Sequence, residues 1–141
     1  MKQSLIINNI KQRLGIEQLN EMQQEVARLS ASKLLLLSPT GSGKTVAFVI
    51  ALLRTITAPR GKVQAVIIAP ARELVMQIAE VIRPIATGYK TVACYGGHSM
   101  IDEARSLTSS IPDIIVSTPG RLLDHLNRGN VDLTGVNALV L

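Results

Sequence analysis

The stretch whose residue types and spacing most directly imply chemistry is Ser38-Pro39-Thr40-Gly41-Ser42-Gly43-Lys44-Thr45. Two glycines bracket a serine, and a lysine and a hydroxyl side chain follow at once. This is the Walker A pattern, with Ser38 where its simplest form has glycine. Gly41 and Gly43 permit backbone angles and a close approach that a Cβ would forbid. Successive N–H groups can then curl around phosphate oxygens, and a helix opening at Lys44 adds the positive end of its dipole. Lys44 is suited to reach the β- and γ-phosphates, and the Thr45 hydroxyl to ligate Mg2+. The pattern predicts a nucleoside triphosphate site built from Ser38, Pro39, Thr40, Gly41, Ser42, Gly43, Lys44 and Thr45, with Lys44 and Thr45 as the catalytic pair. The plainer alternative is a glycine turn that merely starts a helix.

Such a loop requires a strand before it and a helix after it. Leu34–Leu37 is a continuous apolar run that reads as a buried strand, and Lys44–Thr57 reads as a helix ended by Pro59, Arg60 and Gly61. Upstream, Ser4–Leu14 suits a helix with Gly15 as its C-cap, and Asn20–Ala31 carries Met22, Val26 and Leu29 at helical spacing. Downstream, the predicted strands are Gln64–Ala69, Lys90–Tyr95, Asp113–Ser117 and Asn137–Leu141. Between them come predicted helices over Ala71–Arg83 (stopped by Pro84), Ile101–Ser109 and Gly120–Arg128. Short apolar strands alternating with helices predict an α/β fold, a parallel sheet with helices on both faces. Ligands of such sheets bind beyond the carboxyl ends of the strands, at Ser38–Thr45, Pro70–Leu74, Gly96–His98 and Thr118–Arg121.

Composition excludes several classes. With 141 residues, 47% apolar and 18% charged, the chain suits one domain over residues 1–141 and not a disordered segment. Its apolar runs are too short to span a bilayer, and Met1–Asn9 has no signal-peptide pattern, so the chain reads as cytoplasmic. A single cysteine, Cys94, excludes an internal disulfide and is expected to be a small buried residue. The net charge of +5 arises in the first half: nine basic and three acidic residues over 1–70, against six and seven over 71–141. That excess fits either a solvated basic face or a polyanion site. Phe48, Tyr89 and Tyr95 are the only aromatics, which favours phosphate contacts over a base-stacking platform.

The phosphate loop alone does not separate a kinase, a GTPase and a helicase. Thr40-Gly-Ser-Gly-Lys-Thr45, Pro70-Ala-Arg-Glu-Leu74 with Gln77 behind it, Gly96-Gly97 and Thr118-Pro-Gly-Arg121 occur in that order. In this the sequence resembles the first RecA-like domain of DEAD-box RNA helicases over nearly its whole length. The resemblance implies a P-loop NTPase fold that binds ATP with Mg2+. It also implies sequence-independent binding of the RNA backbone by Arg72, Gly97, Thr118 and Arg121, and a second RecA-like domain as partner. It further implies that Gln23, at the end of Gly15-Ile-Glu-Gln-Leu-Asn-Glu-Met-Gln23, contacts adenine. The family usually has Pro-Thr in place of Leu19-Asn20, an aromatic where Ile6 falls, and threonine in place of Ala71.

Several of these residues also have ordinary uses. Asn20-x-x-Gln23 has capping-box spacing, and Thr118-Pro119 is a good N-cap and N1 pair. Gly96-Gly97 could simply end a strand, Glu73 is suited to hold Arg72, and His98 reads as a surface residue. In the resembling family the strand matching Ala138–Leu141 runs into Asp-Glu-Ala-Asp, the acidic Walker B segment. Asp102, Glu103, Asp113, Asp124 and Asp132 lie elsewhere in the pattern and read as caps and surface charges. The chain therefore reads as an incomplete domain of an ATP-dependent RNA helicase that unwinds short duplexes when whole, and as inactive in ATP hydrolysis alone. Alternatives are a small P-loop kinase or GTPase, disfavoured by the lack of an Asn-Lys-x-Asp guanine reader, and a catalytically silent nucleotide-binding module.

Overall fold

The computed structural model describes residues 1–141. In order they form α1 (Gln3–Leu14), α2 (Glu21–Arg28), α3 (Lys44–Thr55), β1 (Ala65–Ile68), α4 (Arg72–Ile85), β2 (Thr91–Cys94), α5 (Met100–Thr108), β3 (Ile114–Ser117), α6 (Pro119–Asn127) and β4 (Ala138–Val140). The strands make one parallel sheet in the order β2-β3-β1-β4. Successive residues of a strand point to opposite faces, and both faces here are covered. Ala65 and Ile67 of β1 and Ile114 and Val116 of β3 enter the larger core with α1, α3 and α4. Val66 and Ile115 enter a smaller core with Val92, Cys94, Leu107 and Leu122, under α5 and α6.

Register is what positions the site. Ile68 of β1 lies beside Ser117 of β3, and Ser117 beside Cys94 of β2. The segments after these three strands therefore leave the sheet at one level. Buried polar groups hold the opposite end: Asp113 accepts from the Lys90 N–H at 3.0 Å and from Gln64 Nε2 at 3.2 Å, which ties the starts of all three strands together.

Helix limits follow from local partners. Gly15 closes α1 at φ +68, as its sequence position predicts. The α2 helix stops at Arg28, short of the expected Ala31, because Arg54 of α3 donates to the carbonyls of Ala27 and Leu29 at 2.8 and 2.9 Å and so caps it. Pro84 does not stop α4, which continues to Ile85. Its buried stripe of Val75, Ile78, Ala79 and Ile82 is already anchored, and Asn9 of α1 donates to the Ile85 carbonyl at 2.7 Å.

One expected element is absent. Leu34–Leu37 forms no strand, and Leu35 and Leu37 are 81% and 83% exposed. An apolar run becomes a parallel strand only beside a neighbour with free N–H and C=O groups. The strand β4 pairs with β1 alone and presents its other edge to no strand of the sheet, and Leu34–Leu37 reaches none. The run instead borders an apolar groove with Met22, Val26 and Leu29 of the α2 region.

Candidate functional site

The loop 38–45 has the polarity of an anion cradle. Lys44 Nζ donates to the Ser38 carbonyl and, at 3.1 Å, to the Pro39 carbonyl. Ser42 Oγ also donates to Pro39, Asn20 Nδ2 to the Ser42 carbonyl at 2.9 Å, and Gln23 Nε2 to the Gly43 carbonyl at 3.2 Å. The carbonyls of Ser38, Pro39, Ser42 and Gly43 are thus taken by donors. The N–H groups of Thr40, Gly41 and Gly43 take no acceptor within the protein. At the start of α3 no side chain caps the first turn and no acidic residue lies in it, so the positive end of its dipole is uncompensated. Gly41 and Gly43 adopt φ +78 and +85, the left-handed region that lets consecutive N–H groups converge.

Gln23 belongs to this loop through its amide. Its Oε1 accepts from the Asn20 N–H at 3.0 Å while Asn20 Oδ1 accepts from the Gln23 N–H at 2.9 Å. The capping box is realised, and the second half of the same amide holds Gly43. A Cβ on Gly43 would lie 2.4 Å from Gln23 Nε2, so any side chain there displaces that amide from the Gly43 carbonyl in addition to the demand of φ. Ile6, at the position where the resembling family has an aromatic, is fully buried in the larger core and offers no face to a base.

The segments that follow β1, β2 and β3 lie side by side. Arg72 opens α4 with its side chain exposed, paired at 2.9 Å with Glu73, as expected for that acid. Its guanidinium lies 3.0 Å from where a Cβ of Gly97 would stand, and Gly97 has φ +83. Thr118 is the N-cap of α6 and Pro119 its N1 residue, yet the Thr118 hydroxyl makes no capping hydrogen bond. Arg121 points toward the protein interior. Its Nε donates to Glu103 Oε2 at 2.7 Å, its Nη2 donates to the His98 carbonyl, and the side chain is 13% exposed. Its guanidinium is turned inward because a buried carboxylate and a backbone carbonyl take it.

Glu103 and Asp113 are not the surface charges expected from sequence; they are 1% and 4% exposed. Glu103 Oε1 accepts from the Tyr95 N–H and faces His98 Nδ1, each at 3.0 Å, and Oε2 faces Arg121 Nε and His125 Nε2, each at 2.7 Å. Burial on its own would raise the Glu103 pKa, but the hydrogen bonds from His125, Tyr95, Arg121 and His98 outweigh it and hold the carboxyl below its ordinary value. The signal was present in the sequence: Glu103 lies four residues before Leu107, on the inward stripe of α5.

Cys94 Sγ, Glu103 and His125 have ligand atoms within 4.8 Å of one another. They do not suit a cation. The Arg121 guanidinium already occupies Glu103, Asn130 Nδ2 donates to His125 Nδ1 so that Nε2 carries the proton, and burial pushes the Cys94 thiol up to about 12. No helix of the chain is long and apolar enough to cross a membrane.

Comparison with known proteins accords with this arrangement. Residues 20–141 match the DEAD/DEAH box helicase family model. The chain is 38% identical over 133 residues to the DEAD-box ATP-dependent RNA helicase CshA of Bacillus subtilis (strain 168), covering 92% of this chain and 27% of that protein. It is 40% identical over 133 residues to the ATP-dependent RNA helicase DeaD of Escherichia coli (strain K12), covering 91% and 21%. Among solved structures, the yeast DEAD-box splicing factor Prp28 superposes with TM-score 0.81 at 30% identity, over 96% of this chain and 35% of that one. A hypothetical ATP-dependent RNA helicase from Sulfolobus tokodaii gives TM-score 0.77 at 31% identity, over 94% and 40%. The chain thus spans about a fifth to a quarter of the length of the two sequence relatives. With the Walker A loop opening α3, and the paired glycines and the Thr118–Arg121 turn following strands at one end of a parallel sheet, it belongs to the DEAD/DEAH box helicase family.

Proposed function

We propose that this chain supplies the ATP-binding half-site and part of the RNA-backbone track of an ATP-dependent RNA helicase. The observation that carries this reading is the polarity of the loop 38–45, with the carbonyls of Ser38, Pro39, Ser42 and Gly43 taken and the N–H groups of Thr40, Gly41 and Gly43 unpaired; beside it stands the emergence of Arg72, Gly97 and Thr118 from one end of the sheet.

On binding, Lys44 exchanges the carbonyls of Ser38 and Pro39 for β- and γ-phosphate oxygens, while the loop N–H groups cradle the rest. Thr45 follows Lys44 in the first turn of α3 and would hold Mg2+, which neutralises charge on the phosphates. A single hydroxyl is a fitting donor set, since this ion keeps several waters and takes most other ligands from the substrate. Gln23 links the base to the loop: one Nε2 hydrogen holds the Gly43 carbonyl and the second is left for an acceptor on adenine. Arg72 and the backbone N–H of Gly97, with the Thr118 hydroxyl, bind successive phosphates of one RNA strand, contacts that carry no sequence information. Arg121 serves this track from behind, through Glu103 and His98, and not by touching phosphate.

Lys44→Ala and Arg72→Ala in the full-length protein test the two halves. Lys44→Ala should abolish ATP binding in equilibrium titrations. Arg72→Ala should weaken binding of unrelated RNA sequences by similar factors and reduce the slope of log affinity against log salt by about 1. Undiminished ATP affinity in the first variant, or a changed preference among RNA sequences in the second, overturns the corresponding half.

A further inference from the structure

Glu103 is the one buried carboxylate whose every partner lies on, or next to, the RNA-facing segments. Its oxygens hold four groups: the Tyr95 N–H, which opens the loop to Gly97, His98 of that same loop, Arg121 in the turn after Thr118, and His125 one helical turn further along α6. Arg121 also donates to the His98 carbonyl, so the loop and the turn are bridged twice. His98 stacks on Tyr95 with ring centroids 5.2 Å apart, which joins the two ends of the loop. A carboxylate accepts about four hydrogen bonds, and here all four positions are filled. Burying such a pair is weak evidence for stability, because desolvating both charges offsets their attraction. Its value must lie in what it fixes. What it fixes is the spacing between Gly97 and Thr118, neither of which it touches.

We propose that Glu103 is a positioning residue for RNA: through the Tyr95 N–H and Arg121 it sets the distance between the Gly97 backbone and the Thr118 hydroxyl to match neighbouring phosphates of one strand. This rests on the backbone-track reading above. Two loops held at a fixed spacing meet two phosphates without reordering first, which lowers the cost of binding. Released from Glu103, each loop could still meet a phosphate, but not both at once. The deficit should therefore fall on RNA affinity and leave the nucleotide site and the bound-state rate alone, the signature of lost uniform binding.

The test uses the full-length protein with a short oligouridylate as probe and four readouts: melting temperature, ATP affinity without RNA, the RNA concentration for half-maximal ATP hydrolysis, and the rate at saturating RNA. Glu103→Ala should raise the half-maximal RNA concentration about tenfold and leave ATP affinity and the saturating rate within about twofold. Glu103→Gln should recover part of the loss, leaving about a threefold rise, since one amide oxygen can still accept from Arg121 and His125 while the amide NH2 no longer accepts from the Tyr95 N–H. If Arg72→Ala weakens RNA binding while Glu103→Ala does not, the positioning role is wrong and the track stands. If neither variant weakens it, both fall. A parallel loss of ATP affinity, saturating rate and RNA affinity in Glu103→Ala marks a merely structural residue and overturns the proposal. Should Glu103→Ala fail to fold, Glu103→Gln decides alone: a roughly threefold higher half-maximal RNA concentration at unchanged saturating rate supports the role, and an unchanged value overturns it.

Discussion

Gly43 carries two demands at once, and they can be measured apart. Its φ of +85 costs any L-residue about 1–2 kcal/mol, and its Cβ would stand 2.4 Å from Gln23 Nε2. Gly41 carries only the first demand: φ +78, with nothing within 4 Å of the Cβ position. Gly41→Ala should therefore cost about 1–2 kcal/mol. Gly43→Ala must in addition expel the buried Gln23 amide from the Gly43 carbonyl, losing a hydrogen bond and leaving a polar group unpaired, a further ~2 kcal/mol. Urea unfolding of the 141-residue chain, followed by circular dichroism, reads this directly. With a slope of about 1.5 kcal/mol per M, the midpoint should fall by about 1 M for Gly41→Ala and about 2 M or more for Gly43→Ala. Gln23→Ala alone should cost about 1–2 kcal/mol through the lost capping box. Combined with Gly43→Ala it removes the clash, so the double variant should be about 2 kcal/mol more stable than the sum of the singles. Equal midpoints for the two alanine variants, or strict additivity in the cycle, would refute the close contact as the reason for glycine at 43.

Three further outcomes follow from buried or exposed groups. Cys94, fully buried with its thiol pushed up to about 12, should resist iodoacetamide at mild alkaline pH in the native chain and react at once when unfolded in urea; fast native labelling would contradict that environment. Because the Glu103 pKa is lower folded than unfolded, its share of stability is present above the ordinary value of 4.5 and lost as pH falls through and below it. Between about pH 5 and about pH 3.5 the urea midpoint should fall more steeply for the parent chain than for Glu103→Gln; parallel slopes would remove Glu103 from that account. Leu35→Asp with Leu37→Asp should lower dye binding and aggregation of the 141-residue chain without lowering its melting temperature, and a lower melting temperature would mean these leucines are packed after all.

Much of this was legible in the sequence because local rules and tertiary context agreed. Gly15 closes α1, Asn20 and Gln23 form their capping box, and β1 to β4 lie within a residue or so of the apolar runs that predict them. Where sequence reasoning went astray, the deciding partner was remote. Leu34–Leu37 has strand composition, but a strand exists only when paired, and composition does not state whether the run reaches a free edge such as that of β4. Pro84 reads as a stop, yet Asn9, far away in sequence, takes the carbonyl at the end of α4. Glu103 reads as a surface acid until Tyr95, Arg121 and His125 are seen to converge on it, and those three come from two other parts of the chain. The helical spacing to Leu107 was the only local hint.

The two halves of the site are held by supports of opposite polarity, and this decides what Arg121 can do. Around the phosphate loop, amide and ammonium donors from Asn20, Gln23 and Lys44 occupy carbonyls and so leave N–H groups for an anion. Along the row proposed to face RNA, a carboxylate acceptor occupies donors, the Tyr95 N–H and the Arg121 guanidinium among them. An arginine that left Glu103 to meet a phosphate would break a buried ion pair, a loss of about 3–5 kcal/mol, with only the Tyr95 N–H, His98 and His125 left on the carboxylate. A charge-assisted hydrogen bond to the phosphate would return about 1.5–3 kcal/mol. The inward pair wins. Arg72, with its side chain more than half exposed and only Glu73 beside it, faces no such cost, so in the proposed track the contact to the strand falls to Arg72 and the bracing to Arg121.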